Sequence, residues 1–137
     1  MKESFRTTRR VEFGDTDMAG IAHFANFFRY MEQAETDLLH TFGISVSWKD
    51  GEERLGFPRV SVSCDYKSPA RFEDMLDIAV TVEDVGRKSV RYRFDFTREG
   101  KEIAIGHITA VYCRHTPERG LESREIPPAL RAMLELA

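Results

Sequence analysis

The stretch His23-Phe24-Ala25-Asn26-Phe27-Phe28-Arg29-Tyr30-Met31-Glu32-Gln33-Ala34-Glu35-Thr36-Asp37-Leu38-Leu39-His40 decides how the rest of the chain must fold. Phe24, Phe27, Phe28, Met31, Ala34, Glu35, Leu38, Leu39 and Phe42 recur at steps of three and four, the spacing of one face of an α-helix. Gly43 follows the pattern and suits a helix end. The reading is one long helix from about His23 to His40 with a strongly aromatic apolar face. Such a face must be buried against another layer.

That layer is predicted from the alternation on either side. Phe5, Thr7, Arg9, Val11 and Phe13 share one side of a first strand over residues 4–13. Gly14, Asp15, Thr16, Asp17 and Gly20 make residues 14–22 rich in turn formers. Residues 45–55 carry no clear period and are read as a short helix under a loop. Val60, Val62, Cys64 and Tyr66 alternate, as do Leu76, Ile78, Val80 and Val82, and then Val90, Tyr92, Phe94 and Phe96. Gly86 to Ser89 is a tight connection, and Glu99-Gly100-Lys101 reads as a hairpin turn. Residues 103–113 are apolar on both faces, as in a central strand. Pro127 and Pro128 open a short terminal helix to about Leu136. Short links imply antiparallel pairing, with the long helix packed across the concave face of the sheet. The fold class is therefore α+β in two layers, as one domain over residues 1–137. The open edges and outer face of such a sheet favour self-association.

Composition narrows the function. The 137 residues hold 20 Lys plus Arg against 23 Asp plus Glu, a net charge of -3, which argues against a dedicated nucleic-acid binder. Cys64 and Cys113 are too few for a disulfide framework or a four-cysteine zinc site and read as buried free thiols. The four histidines show no ligand spacing, so no metal is expected. Met1 to Arg10 is polar, without the pattern of a signal peptide, and no apolar run reaches membrane-spanning length. A soluble protein of the reducing cytoplasm is expected, with no nucleic-acid or membrane partner.

The chemistry lies between Phe13 and Asn26. Asp17 stands in a loop just before a helix start, where backbone N–H groups lack internal partners and attract negative charge. A carbonyl oxygen aimed at those amides would be stabilised as it becomes an oxyanion. A nearby carboxylate attacks the carbonyl carbon or deprotonates the water that does. Taken singly, each acid also reads as a cap or turn residue. Asp15 is assigned to turn geometry and Asn26 to local hydrogen bonding that shapes the loop.

Glu12-Phe13-Gly14-Asp15-Thr16-Asp17-Met18-Ala19-Gly20-Ile21 closely resembles the signature of the 4-hydroxybenzoyl-CoA thioesterase family, and the likeness continues through Asn26, Phe27 and Glu32. Pro58-Arg59-Val60-Ser61-Val62-Ser63-Cys64 and Gly86-Arg87-Lys88-Ser89 are also similar to that family. The resemblance implies the hotdog fold, a five-stranded antiparallel sheet wrapped around one long helix. It implies homodimers, often paired into tetramers, with active sites at subunit boundaries. It implies hydrolysis of an acyl- or aroyl-CoA thioester, with CoA as part of the substrate and no separate cofactor. Asp17 falls on the family's catalytic carboxylate. The Phe24 amide falls on the helix-start N–H that polarises the thioester carbonyl, and Gly20 lies in the loop that admits substrate. His23 is a candidate for positioning water or substrate, with capping as its plainer role. Some relatives carry Tyr-His where this chain has His23-Phe24, and many carry Arg where it has Glu35.

Asn26, Arg87 and Lys88 are the candidates for substrate binding, the latter two through CoA phosphates. With Arg91 and Arg93 they form a basic cluster that also reads as a solvated strand end. Phe24, Phe27 and Phe28 are expected mainly in the core, with part of that face lining an acyl pocket. Glu32 and Glu35 read as helix-surface acids, unless one is buried beside Asp17. His107 is expected in the core or an interface, and His40 and His115 at the surface. The alternative function is a non-catalytic protein that binds acyl-CoA or acyl-carrier protein, with Asp17 capping its loop. A hydratase acting on enoyl-CoA fits the Asp17 motif poorly.

Overall fold

A computed structural model describes residues 4–137, so the polar start at Met1 to Glu3 lies outside the described residues. Strand β1 (Phe5–Arg10) is followed by a 3-10 turn at Phe13–Asp15 and helix α1 (Asn26–Thr41). Next come β2 (Ser47–Asp50), β3 (Glu53–Gly56), β4 (Arg59–Tyr66), β5 (Met75–Val85), β6 (Ser89–Arg98) and β7 (Lys101–Val111). Strands β8 (Cys113–Thr116) and β9 (Gly120–Ser123) and helix α2 (Pro128–Leu136) complete the chain. Five strands form one sheet in the order β1-β5-β6-β7-β4, and four form a second in the order β2-β3-β8-β9. Every pairing is antiparallel.

The alternation read from the sequence becomes the inner face of the five-stranded sheet. Leu76, Ile78, Val80 and Val82 of β5 and Val90, Tyr92, Phe94 and Phe96 of β6 are all buried. The register sets large β6 side chains opposite small β7 residues: Phe94 faces Gly106 and Phe96 faces Ala104. The space left there admits α1. A side-chain carbon added at Gly106 would stand 2.6 Å from Met31 Sδ, so the absent side chain lets helix and sheet approach. Phe27, Tyr30, Met31, Ala34, Glu35, Leu38 and Leu39 form the buried face of α1. Fully burying each large apolar side chain contributes about 1.5–3 kcal/mol. Strand β7 lies between β6 and β4, which bears out its reading as an interior strand. Strand β4 is the sheet's last strand, and Val60, Val62 and Tyr66 on it stay 63%, 37% and 45% exposed.

Several expectations are corrected. Residues 45–55 are a β2–β3 hairpin turned at Gly51 (φ +66°), not a helix. Trp48 is half-buried, lying against Phe57 and Tyr112 with ring centroids 6.3 and 6.2 Å away. Strand β1 stops at Arg10, short of Phe13, which is exposed. Helix α1 begins at Asn26, three residues after His23. Of the three phenylalanines expected in the core, only Phe27 is buried; Phe24 is 64% and Phe28 41% exposed. The β8–β9 hairpin had no counterpart in the sequence reading. Among the described residues no helix is long and apolar enough to cross a membrane.

Candidate active site

The loop from Glu12 to Ala25 is built by polar contacts that use both the carboxylate and the carbonyl of Asp15. Asp15 Oδ2 accepts the Glu12 N–H and the Tyr30 hydroxyl, both at 2.9 Å. The second bond ties the loop to α1. Burial, reinforced by the hydrogen bond to Asp15, pushes the Tyr30 phenol well above its ordinary range. The Asp15 carbonyl accepts the Asn26 side-chain amide at 2.7 Å and the His23 N–H at 2.8 Å. Asp15 and Asn26 thus hold the loop's shape, in the local manner that the sequence suggested.

Asp17 is held differently. Its N–H donates to the Ile21 carbonyl at 2.9 Å, and its own carbonyl accepts the Gly20 N–H at 2.9 Å. Gly20 adopts φ +78°, a left-handed conformation that glycine accommodates without strain. The Asp17 carboxylate gives Oδ1 to the Ala19 N–H at 2.8 Å. Oδ2 has no partner among the described residues. The side chain borders a cavity of about 530 Å³ with Ile21, Ala22, Phe24, Tyr66 and Lys67.

The helix start corrects one expectation. The amides of Asn26, Phe27 and Phe28 are closed onto the carbonyls of His23, Phe24 and Ala25, at 2.9, 3.2 and 3.2 Å. The Ala25 N–H donates to His23 Nδ1 at 3.2 Å. The Phe24 N–H has no acceptor among the described residues. A tight first turn therefore leaves one donor, on a residue that borders the same cavity as Asp17, not the whole set that an open helix end offers. His23 spends its Nδ1 lone pair on this cap, and its ring stacks on Phe24 with centroids 4.5 Å apart.

Sequence reasoning missed Tyr66. Its hydroxyl donates to the Phe24 carbonyl at 2.8 Å, and its ring meets Phe27 edge-on at 5.2 Å. The bond spans 42 residues, so only the β4 register could reveal it. Burial lifts the Tyr66 phenol to about 12. Tyr66 therefore stays protonated and remains a donor across neutral pH.

The remaining candidates lie apart. Arg87 and Lys88 sit at the β5–β6 connection, outside the lining of the Asp17 cavity. They reach Glu125 at 3.0 Å and Ser123 Oγ at 3.3 Å. Arg91 pairs with Glu83 at 3.1 Å and Arg93 with Asp95 at 3.0 Å. His107 Nε2 lies 3.5 Å from Glu83, and His40 and His115 are exposed as expected. Cys113 is buried, whereas Cys64 is only partly so. Glu32 is exposed, but Glu35 is completely buried, against Arg59 and not against Asp17.

Residues 11–134 match the Thioesterase-like superfamily. The chain belongs to that superfamily. As a member it is a thioester hydrolase, and its fold is the α+β hotdog arrangement. It is 31% identical over 100 residues to the 4-hydroxybenzoyl-CoA thioesterase of Pseudomonas sp. (strain CBS-3), covering 72% of this chain and 71% of that protein. It is 29% identical over 112 residues to the 1,4-dihydroxy-2-naphthoyl-CoA hydrolase of Prochlorococcus marinus (strain NATL2A), covering 75% and 71%. Among solved structures, a gentisyl-coenzyme A thioesterase superposes with a TM-score of 0.81 at 28% identity, over 95% of this chain and 99% of that one. The resemblance read from the Glu12–Asn26 motif is thus borne out at the level of the family.

Proposed function

We propose that this thioesterase hydrolyses an acyl- or aroyl-CoA thioester to the free acid and CoA at the Asp17–Phe24 cleft. The observation that carries the reading is that the unpaired Asp17 oxygen and the unengaged Phe24 N–H belong to residues bordering one apolar cavity. A thioester carbonyl seated there points its oxygen at the Phe24 N–H. Asp17 Oδ2 either attacks the carbonyl carbon or takes a proton from the attacking water. In the first case the C–S bond breaks to release the CoA thiolate, and water then cleaves the mixed anhydride. In the second, hydroxide adds, the tetrahedral oxyanion collapses, and the thiolate leaves with the proton. Both routes turn thioester and water into acid and thiol. One preorganised donor to the oxyanion is worth about 10²–10³ in rate. Tyr66 fixes the Phe24 carbonyl, and Gly20 supplies the turn that presents Asp17. The chemistry needs no cofactor beyond the CoA carried by the substrate. In this reading Arg87 and Lys88 meet CoA phosphates, and Asn26 keeps the cleft in shape.

The reading extends to assembly. It takes residues 1–137 as one domain with α1 as the central helix. The free edge of β4 and the exposed Val60, Val62, Phe24 and Phe28 support a homodimer formed by pairing two β4 strands. Pairing of such dimers into a tetramer follows the family resemblance. Two free cysteines suit a reducing compartment, with the cytoplasm as the proposed location. Thiol release from a panel of aromatic and aliphatic acyl-CoAs tests the activity. Release should be readily detected and should collapse in Asp17→Asn and Asp17→Ala with thermal unfolding unchanged. Full activity in either variant, or tight CoA binding without thiol release from the parent chain, overturns it.

A further inference from the structure

The far end of β4 holds a second polar constellation, unconnected to Asp17 within one chain. Glu35 is completely buried on α1, and Arg59 reaches it from the start of β4. Arg59 Nε donates to Glu35 Oε1 at 2.8 Å, and Nη2 donates to the same oxygen. The β4 ladder is irregular between Arg59 and Ser61, which re-aims the side chain. Glu35 Oε2 and the fully buried Tyr92 hydroxyl have no partner among the described residues. Arg59 Nη1 has no acceptor there either. An apolar core holding an ion pair with unmatched polar atoms is costly to build, and such exceptions call for an explanation. Arg59 also borders a cavity of about 260 Å³ whose apolar walls include Leu55, Phe57, Pro58 and Leu121, with Arg54 and His115 on its rim. Apolar walls with a few oriented polar groups are the common pattern of a ligand subsite.

The ends of this eight-residue strand are about 23 Å apart, too far for one acyl group to span from Asp17 within a protomer. In the proposed dimer, antiparallel pairing of two β4 strands about their midpoint, between Val62 and Ser63, would remove that distance. It would set Arg59 of the partner subunit opposite Tyr66, which borders the Asp17 cleft. We propose that Arg59 of the partner subunit determines specificity, donating through Nη1 to an oxygen substituent on the far part of the acyl group. Glu35 already balances the guanidinium charge. Arg59 therefore acts there as an oriented hydrogen-bond donor and not as an unpaired cation. The inference rests on the thioesterase and dimer readings above.

The test separates recognition from turnover. Phenacyl-CoA and hydroxyphenacyl-CoA thioethers, which have no thioester bond to hydrolyse, are titrated calorimetrically into the intact protein and into Glu35→Leu/Arg59→Met. That double variant removes both charges together and leaves neither buried alone. The parent chain should prefer at least one hydroxylated ring position by tenfold or more, and the variant should lose that preference. An equal preference in both proteins, or none in the parent, overturns the proposal whether or not any thioester is turned over. Co-expressing Asp17→Ala with Glu35→Leu/Arg59→Met tests which subunit supplies Arg59. A mixed dimer has one site with both groups intact and should regain hydroxyl-selective thiol release, absent from either homodimer. No regain, in a preparation shown by mass to contain the mixed dimer and with an active parent, places Arg59 outside the site.

Discussion

The two ends of β4 hold a carboxylate in opposite ways. At the Tyr66 end, Asp17 is partly open to solvent and held by the backbone of its own turn, with one oxygen uncommitted. At the Arg59 end, Glu35 is sealed in the core and held by a guanidinium from another element. Burial pushes the Glu35 carboxyl above the usual carboxylate range, and Arg59 opposes that shift. The first acid keeps one oxygen open at the edge of a cavity, whereas the second is locked onto a cation. Difference in solvent access, not in residue chemistry, separates the roles.

The largest effect that probes this contrast is the loss of Asp17. Asp17→Asn should lower kcat/KM for thioester hydrolysis by about 10²–10⁴-fold, the range for a positioned acid–base group, and leave urea unfolding unchanged. Comparable loss of stability would mean that Asp17 is chiefly a turn residue. Arg59→Met should do the reverse, destabilising the fold by about 3–5 kcal/mol because Glu35 is left buried without its cation. The Glu35→Leu/Arg59→Met double variant should recover most of that in equilibrium urea unfolding. A single variant costing under about 1 kcal/mol would show that the pair is solvated.

Tyr66→Phe removes one hydrogen bond to the Phe24 carbonyl and should cost about 1 kcal/mol in stability. Its mark should be a lowered kcat with KM little changed, because the proposed mechanism seats the oxyanion next to the loosened peptide. The smallest effect concerns Cys64. Burial raises its thiol from 9.0 to about 11, so the folded chain favours the neutral form. That contribution is present below pH 9 and lost as pH rises through about 11. Cys64→Ala should therefore flatten part of the fall in melting temperature between those values, and an unchanged slope would sink the assignment.

How much was legible beforehand follows from the range of each interaction. The strands over Val60–Tyr66, Leu76–Val82 and Val90–Phe96 show in the alternation because one face of each is apolar, although β4 is solvent-exposed in the single chain. The β2–β3 hairpin was not legible, because none of its residues is fully buried and they carry no sustained apolar alternation. Helix α1 was placed three residues early because Phe24 fits the helical period while facing the cavity. The roles of Asp15 and Asn26 were readable because their partners lie within fifteen residues.

By itself the sequence determined the helix and the main strands, the family motif from Glu12 to Asn26, and Asp17 as the acid to watch. Periodicity and short-range hydrogen bonding are local properties and survive in a linear reading. Only the tertiary structure decided which amide stays free at the helix start, that Tyr66 reaches Phe24, and that Glu35 is sealed against Arg59. Those outcomes depend on strand register, on an irregularity in β4 and on how closely α1 approaches Gly106. Each joins residues that the chain keeps far apart, through packing that no single stretch encodes.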